Sequence, residues 1–443
     1  MIKHFESRDQ KMNIKGVYEK GLCTGCGTCV GMCQTGAIEM VVDWEHGIYK
    51  PVIDGEKCTN CGHCCKICPG YSVDFKELQE FVFGKEPEDI LLGNYRSCYA
   101  GCSTDYDVRY NSSSGGLVTQ LLVFALEEGI IDGALVTRMK KDKPLEPEPF
   151  IAKTKEEIIA ASCAKYCPVP VNIMLKEILN SKEKVAVVGL PCHIQGIRKA
   201  EMINKKLQKK VVLHIGLFCT HGISFLGTYS ALKQMNIKSE DVKLINYRFG
   251  DFPPAKTLIK LDTGTQTINH LTFWNTLFSH CVNSIPYRCS LCVDQTCELA
   301  DISIGSGWFS YKTDKQKNQS VCVLRTDFSR TFVRRRNLEK KVTLTEIDPK
   351  TLILFEKTER GDKKKKYKHL LVFLKFFNKN YPDYTLKFLE SKIEPNFKMR
   401  IMAFNSYLQS FLTSKKYLWS LVSIFITVRK SIFRATKRIV GKL

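Results

Sequence analysis

The sequence lacks any apolar stretch long enough to cross a bilayer. Its longest, "LWSLVSIFITV" (Leu418–Val428), runs eleven residues where about twenty are needed, so no span is expected. No secretory leader is expected either. The opening "MIKHFESRDQKMNIKG" is polar and charged, without the apolar core and small-residue cleavage site of a signal peptide, which argues for a cytoplasmic protein. There is no low-complexity linker, no internal repeat apart from two cysteine motifs, and no recognisable nucleic-acid module. Acidic residues are scarce: 45 Asp plus Glu stand against 67 Lys plus Arg, a net charge of +22. Such a surplus suits nucleic acid, an anionic membrane surface or an acidic protein, and by itself chooses none of them.

Cysteine is abundant, with 20 in 443 residues. In a small secreted domain this would read as a disulfide scaffold; clustered at short spacings in a long chain it favours metal or redox chemistry. Two runs carry the pattern: Cys23, Cys26, Cys29 and Cys33 in "CTGCGTCVGMC", and Cys58, Cys61, Cys64 and Cys68 in "CTNCGHCCKICPG". Each has the spacing Cys-x2-Cys-x2-Cys-x3-Cys. Three close thiolates can cap three irons of one 4Fe-4S cubane, while the fourth, set apart by the extra residue, reaches the other cluster. One cluster is therefore expected on Cys23, Cys26, Cys29 and Cys68, the other on Cys58, Cys61, Cys64 and Cys33. Zinc also uses CxxC pairs, but with a long gap between two pairs rather than two complete runs of four. The arrangement resembles a bacterial-type two-cluster ferredoxin, departing from it at Gln34, where proline usually follows the fourth cysteine. Cys65 is surplus and reads as a bystander thiol.

From about residue 95 the pattern changes. "SGGLVTQLLVFALEEGI" reads as a helix, and "DGALVTRM", "KVAVVGL", "KVVLHIGLF", "ADISIGS" and "SVCVLRT" read as buried strands. These imply an α/β unit with a mixed sheet. Cys192 in "GLPCHIQG", Cys219 in "GLFCTHG", and Cys289 and Cys292 in "YRCSLC" fall at strand ends or in a nearby loop, where parallel strands converge on one edge. They form either a third cluster or a set of small buried hydrophobes.

The succession "SSSGGLVTQLL", "IDGALV", "CAKYCPVPVN", "GLPCHIQGIR", "GLFCTHG" and "CSLCVDQTCELADISIGS" resembles the coenzyme F-420 hydrogenase/dehydrogenase family of beta subunits over roughly residues 95 to 325. The resemblance implies FAD, a 4Fe-4S cluster on Cys192, Cys219, Cys289 and Cys292, and electron exchange with F-420 or another two-electron carrier such as NAD(P)H. Cys297 departs from the pattern and leaves the fourth ligand open. For the flavin, the resemblance points to "NSSSGG" (Ser113, Ser114, Gly115, Gly116) with Thr119, to Lys165 and Tyr166, and to Gly189 at a strand end before a helix, a place that suits phosphate. A plain helix cap explains Ser-Gly-Gly equally well.

The expected fold is thus α+β: a two-cluster ferredoxin-like domain (residues 1–80), an α/β flavin-binding domain with a mixed sheet (95–350) and a basic helical extension (351–443). The expected function is an iron-sulfur flavoprotein oxidoreductase linking a two-electron carrier to ferredoxin or a partner redox subunit. Two alternatives are an electron-relay subunit without its own substrate site and a reductase associated with polysaccharide biosynthesis. Three lesser signals remain. Cys98, Cys102, Cys163 and Cys167 form two x3-spaced pairs, a metal site, a redox disulfide or plain buried thiols. His193 and His221 follow candidate ligands and either tune them or cap and pack. Residues 414–443 interleave aromatics with cations such as Arg429, Lys430, Arg434 and Lys437, as in a helix resting on an anionic membrane or packing on the body.

Overall fold

The computed structural model describes residues 13–250, 255–279, 285–307, 318–355 and 363–385. Between the two cysteine motifs, strands β1 (Ile38–Asp43) and β2 (Ile48–Ile53) pair as an antiparallel hairpin, and β3 (Ser72–Asp74) follows the second motif. Each motif closes on a one-turn helix, Thr28–Gly31 and His63–Lys66, preceded by Gly27 at φ 83° and Gly62 at φ 73°. Glycine alone enters that left-handed region without strain, so the repeat in sequence is also a repeat in backbone. The surroundings differ. A Cβ on Gly27 would meet Ile173 Cγ2 at 2.7 Å and the Pro170 carbonyl at 2.9 Å, whereas one on Gly62 would meet nothing within 4 Å. The first motif is pressed into the body and the second faces outward.

The body contains β4 (Ser97–Ser103), β5 (Gly133–Met139), β6 (Pro147–Ala152), β7 (Val185–Gly189), β8 (Val211–Leu217), β9 (Val242–Phe249), β10 (Lys256–Leu261), β11 (Gly264–Asn269), β12 (Ile302–Ser306), β13 (Ser320–Leu324) and β14 (Val342–Glu346). Eight of them form one sheet in the order β14-β4-β13-β12-β8-β7-β5-β6. Its centre, β12-β8-β7-β5, is parallel, and both flanks are antiparallel. Strands covered on both faces read as continuous apolar runs, which is why "VAVV" was legible as a strand and the mixed sheet could be expected. The helix Leu117–Glu127 covers one face with Leu117, Leu121, Phe124 and Ala125 buried.

Strands β9, β10 and β11 form a separate three-stranded sheet with the helices Phe225–Gln234 and His270–Ser279. Its core comprises Ala231, Leu232, Ile245, Tyr247, Ile259 and Phe273. This layer was not foreseen, because its strands are half-exposed and polar, with few apolar residues to set a period.

The helix Pro191–Ile203 is fixed to the sheet by a buried ionic network. Arg198 donates to Glu201 (3.0 Å), Asp301 (3.1 Å) and the Leu299 carbonyl (3.0 Å). His214 on β8 meets Asp301 at 2.9 Å and Glu201 at 2.7 Å, one carboxylate at each ring nitrogen. Burial and Arg198 oppose its charged form, but the two carboxylates outweigh them and hold the His214 pKa above its ordinary value.

The basic stretch after residue 362 is built into the body. Helix Lys363–Phe376 buries Tyr367, Leu370 and Leu374 in the same core as Ile14, Val17, Ile67 and Phe75, and β15 (Asp383–Thr385) pairs in parallel with β3. Lys364, in the basic extension, is buried against Glu298 at 2.6 Å. The amphipathic stretch 414–443 lies outside the described residues. Among the described residues no helix is long and apolar enough to cross a membrane.

Candidate metal and cofactor centre

Cys23, Cys26 and Cys29 come together with Cys68 of the second motif: Cys23 is within electrostatic reach of Cys68 and Cys26, and Cys29 of Cys23, Cys26 and Cys68. Burial, followed by the charge of Cys26, pushes the Cys68 thiol up to about 11. This inner group is clamped to the body. Asn172 donates its N–H to the Cys26 carbonyl (2.9 Å) and its side-chain amide to Thr28 Oγ1 (2.9 Å) and the His193 carbonyl (2.9 Å). Gly196 lets the Pro191–Ile203 helix close on Thr28, whose Oγ1 would lie 2.2 Å from an added Cβ. Two cations flank the group. Lys199 donates to the carbonyls of Ser72 (2.6 Å) and Cys68 (3.1 Å), and Arg288, 4 % exposed, to those of Pro69 (2.9 Å) and Gly70 (3.2 Å).

The other motif cysteines lie nearer the surface. Cys61 is exposed and Cys33, Cys58 and Cys64 are half-buried, while Cys26, Cys29 and Cys68 of the inner group are buried. Cys33 lines one cavity with His63, the neighbour of Cys64. Cys65 packs on the hydrophobic core and is hydrogen-bonded to Cys64. No three His, Cys, Asp or Glu side chains among the described residues converge closely enough for one metal ion; a cubane places each of its four thiolates on a different iron.

The third group assembles from three places. Cys192 sits in the first turn of the Pro191–Ile203 helix after β7, and Cys219 follows the adjacent strand β8. The loop before β12 is drawn to them by a bond from the Cys219 N–H to the Gln295 carbonyl (2.9 Å). Cys192 is thereby within electrostatic reach of Cys289, Cys219 and Cys292, and also of Cys26 in the inner group. Burial pushes the Cys219 thiol up to about 12, against the nearby charge of Lys363. Cys297 is fully buried, and its Sγ would lie 2.4 Å from a Cβ on Gly216, so it is packed under the sheet edge.

The residues picked for a flavin fall on the loops around Ser113 and Lys165 and at the end of β7. Ser113 Oγ accepts from the Ala164 N–H (2.6 Å) and donates to the Arg248 carbonyl (3.1 Å), joining "NSSSGG" to the Lys165–Tyr166 segment and to β9. Ser114 bonds Ser320 (2.8 Å), and a Cβ on Gly115 would lie 2.5 Å from the Gly101 carbonyl, so the loop is packed on the sheet. Gly116, at φ 73°, starts the eleven-residue helix Leu117–Glu127 with no side-chain cap, and Thr119 is buried in its first turn. Lys165 donates to the carbonyls of its own loop, Ala161, Ser162 and Cys163, at 2.5–3.0 Å, and burial lowers its pKa to about 8. The Tyr166 ring stacks on His270 (5.8 Å) and meets Trp274 edge-on (4.9 Å); Trp274 in turn lies 6.3 Å from His221, two residues beyond Cys219. An aromatic bridge thus runs from the loop to the third cysteine group. Gly189, at the end of β7, is packed on His193, whose Cβ would lie 2.8 Å from an added Cβ.

His193 caps its helix: Nδ1 accepts the Leu190 N–H (3.1 Å), and burial lowers its pKa to about 4. Cys98, Cys102, Cys163 and Cys167 are free thiols. Cys98 and Cys102 lie four residues apart on β4, while Cys163 donates to the Asn111 carbonyl (2.6 Å). Sequence reasoning missed Lys199, Arg288, Trp274, His270 and Lys363. Lone cations and aromatics carry no spacing signal, and only Lys363, within the run of four lysines at the start of its helix, had a visible context.

Three comparisons with known proteins bear on this geometry. Family models match residues 98–176 (coenzyme F-420 hydrogenase/dehydrogenase beta subunit, N-term), 182–350 (the C terminus of the same subunit) and 22–71 (4Fe-4S dicluster domain). The coenzyme F-420 hydrogenase subunit beta of Methanosarcina barkeri is 32 % identical over 240 residues, covering 50 % of this chain and 75 % of that protein. A subunit of the F(420)H(2) dehydrogenase of Methanosarcina mazei is 25 % identical, covering 67 % of this chain and 80 % of its own length. Among solved structures, a chain of the F-420-reducing [NiFe] hydrogenase complex from Methanosarcina barkeri aligns with a TM-score of 0.52 at 28 % identity, covering 67 % of this chain and 98 % of that one.

Proposed function

Since the chain belongs to the coenzyme F-420 hydrogenase/dehydrogenase family of beta subunits, which are oxidoreductases, and carries a 4Fe-4S dicluster domain, we propose that it is an iron-sulfur flavoprotein joining a hydride carrier to a one-electron partner. The ligand sets are Cys23, Cys26, Cys29 and Cys68 for an inner cluster, Cys33, Cys58, Cys61 and Cys64 for an outer one, and Cys192, Cys219, Cys289 and Cys292 for a third. Hydride carriers deliver two electrons together and clusters accept them singly; a bound FAD supplies the conversion.

The observation that carries this reading is contiguity. Cys26 and Cys192 are electrostatic neighbours, and Cys219 is followed by the His221–Trp274–Tyr166 bridge to the Ser113–Gly116 loop. The chain's residues do three things here. Uncapped amides at the start of helix Leu117–Glu127 suit an anionic phosphate, the aromatic rings link that region to the third group, and the exposed Cys61 side of the outer group suits contact with ferredoxin or a partner subunit. The +22 charge favours acidic carriers, including F-420 with its phosphate and glutamate tail. Domain limits of 1–80, 95–350 and 351–443 remain the division we propose, with the qualification that residues 363–385 pack into the first core.

The test is anaerobic purification with flavin counted per chain, then reduction of that flavin by reduced F-420, NADH, NADPH and reduced ferredoxin in turn. About one flavin per chain, reduced fastest by reduced F-420 or NAD(P)H, supports the proposal. An electron-relay subunit without its own substrate site is the second reading, favoured by the Ser113 and Ser114 hydroxyls being held within the protein; substoichiometric flavin after reconstitution would establish it.

A further inference from the structure

The four lysines Lys363 to Lys366 occupy the first positions of helix Lys363–Phe376. That is the unfavourable end for cations, since the helix dipole places partial positive charge there. Lys364 is compensated by buried Glu298 at 2.6 Å. Lys363 forms no ion pair with a carboxylate among the described residues. Its Nζ donates to the Asp294 carbonyl (3.1 Å), between Gln295, which holds the Cys219 N–H, and the Cys289–Cys292 loop. Cys292 Sγ donates to the same Asp294 carbonyl (3.4 Å), so the Lys363 ammonium and a candidate ligand converge on one oxygen. The placement is rigid: Tyr367 OH donates to the Pro382 carbonyl (2.9 Å), Leu370 and Leu374 are buried, and β15 locks to β3. The residue also lies beyond 182–350, the stretch matched by the family's C-terminal model.

We propose that Lys363 is the built-in counter-charge of the third cysteine group and, as a positioning residue, sets the reduction potential of the cluster held there. The inference rests on the cluster assignment proposed above. Four thiolates on a 4Fe-4S core leave a net negative site, and reduction adds one further electron to it without making or breaking a bond to the protein. A fixed, half-buried cation beside the site favours the reduced form. Lys199 and Arg288 stand beside the inner group in the same way, while the outer group faces solvent. A cation at residue 363 therefore makes the third site easier to reduce.

The test uses full-length protein purified anaerobically as wild type, Lys363→Gln and Lys363→Arg, with iron counted per chain and each cluster titrated by redox-poised electron paramagnetic resonance. In Lys363→Gln the third signal is expected at more negative potential, by about tenfold in the reduced-to-oxidised ratio at fixed potential, about 59 mV for one electron. Lys363→Arg restores it, and the two N-terminal signals stay in place. An unchanged third potential in Lys363→Gln with full iron overturns the proposal, as does equal loss of four irons in both variants, which marks a packing role. Wild-type protein with only two cluster signals would instead show the third-cluster assignment itself to be wrong.

Discussion

The clamp between the inner cysteine group and the body turns on a single missing side chain. In Gly196→Ala the new methyl falls 2.2 Å from Thr28 Oγ1, 3.2 Å from Asn172 Nδ2 and 3.3 Å from Thr28 Cβ. Thr28 and Asn172 are both fully buried and cannot swing into solvent. Non-bonded atoms prefer about 3.5 Å, so the Pro191–Ile203 helix and the Thr28–Gly31 turn must part by about 1 Å. Overpacking of this kind costs about 1–3 kcal/mol, and loss of the Asn172–Thr28 hydrogen bond adds about 1 kcal/mol. Alanine's better helix propensity returns about 1 kcal/mol. The net destabilisation is about 1–3 kcal/mol, visible as a urea midpoint lower by about 0.3–1 M at a slope of about 3 kcal/mol per molar. Gly55→Ala is the control, because a Cβ there meets nothing within 4 Å. Unfolding is followed by tryptophan fluorescence. A Gly196→Ala midpoint equal to that of Gly55→Ala would refute the close-approach reasoning and, with it, the rigid contact that sets Cys26 beside Cys192.

Three further outcomes are expected. Asp301→Asn removes one carboxylate from His214 and Arg198, in a buried network where breaking one partner costs about 3–5 kcal/mol. In the wild type, Asp301 is held low by Arg198 and His214 against burial, so its contribution is present above the unfolded value and lost on acidification; that of His214, held high, is lost as pH rises through its folded pKa. The wild-type stability advantage over the variant should therefore peak between about pH 5 and 6.5, and a flat difference from pH 4 to 9 by chemical denaturation would count against the network. Lys364→Met leaves Glu298, already raised to about 7 by burial, without its cation. The folded state then binds a proton more tightly than the unfolded one, so the variant should regain stability as pH falls from about 8 to 5; monotonic loss over that range would contradict this. Cys65→Ala and Cys297→Ala should both retain the wild-type iron content, since neither thiol is in the proposed sets, with Cys297→Ala costing about 1 kcal/mol through a small cavity. Loss of four irons from either variant would require a different ligand assignment.

The central parallel strands were legible because burial on two faces writes "VAVV" and "VVLHIG" as apolar runs, and the duplicated cysteine spacing announced a backbone repeat that Gly27 and Gly62 share. The crossing of Cys68 to the first motif followed from the spacing as well. Strand β4, "SCYAGCS", was hidden because its residues are small and polar although largely buried, and β9 to β11 because their exposed faces carry no clear period. The lysine run gives no signal of its burial: a charge run usually marks solvent, and only the tertiary fold shows Lys363 at the Asp294 carbonyl beside Cys292 and Lys364 on a buried glutamate. The loop proposed for the flavin stays the least legible part, since Ser113 to Gly116 would look the same as a plain helix start, and their hydrogen bonds to Ala164, Arg248 and Ser320 appear only in three dimensions.

Anaerobic iron counting on wild type and Cys219→Ser tests the central claim most directly, namely that cysteines from three separate strand ends and loops gather a third cluster beside the inner one. Three cubanes predict about twelve irons per chain, falling by about four in Cys219→Ser while the two N-terminal cluster signals persist. Equal iron in the two proteins, at about eight per chain, would contradict it.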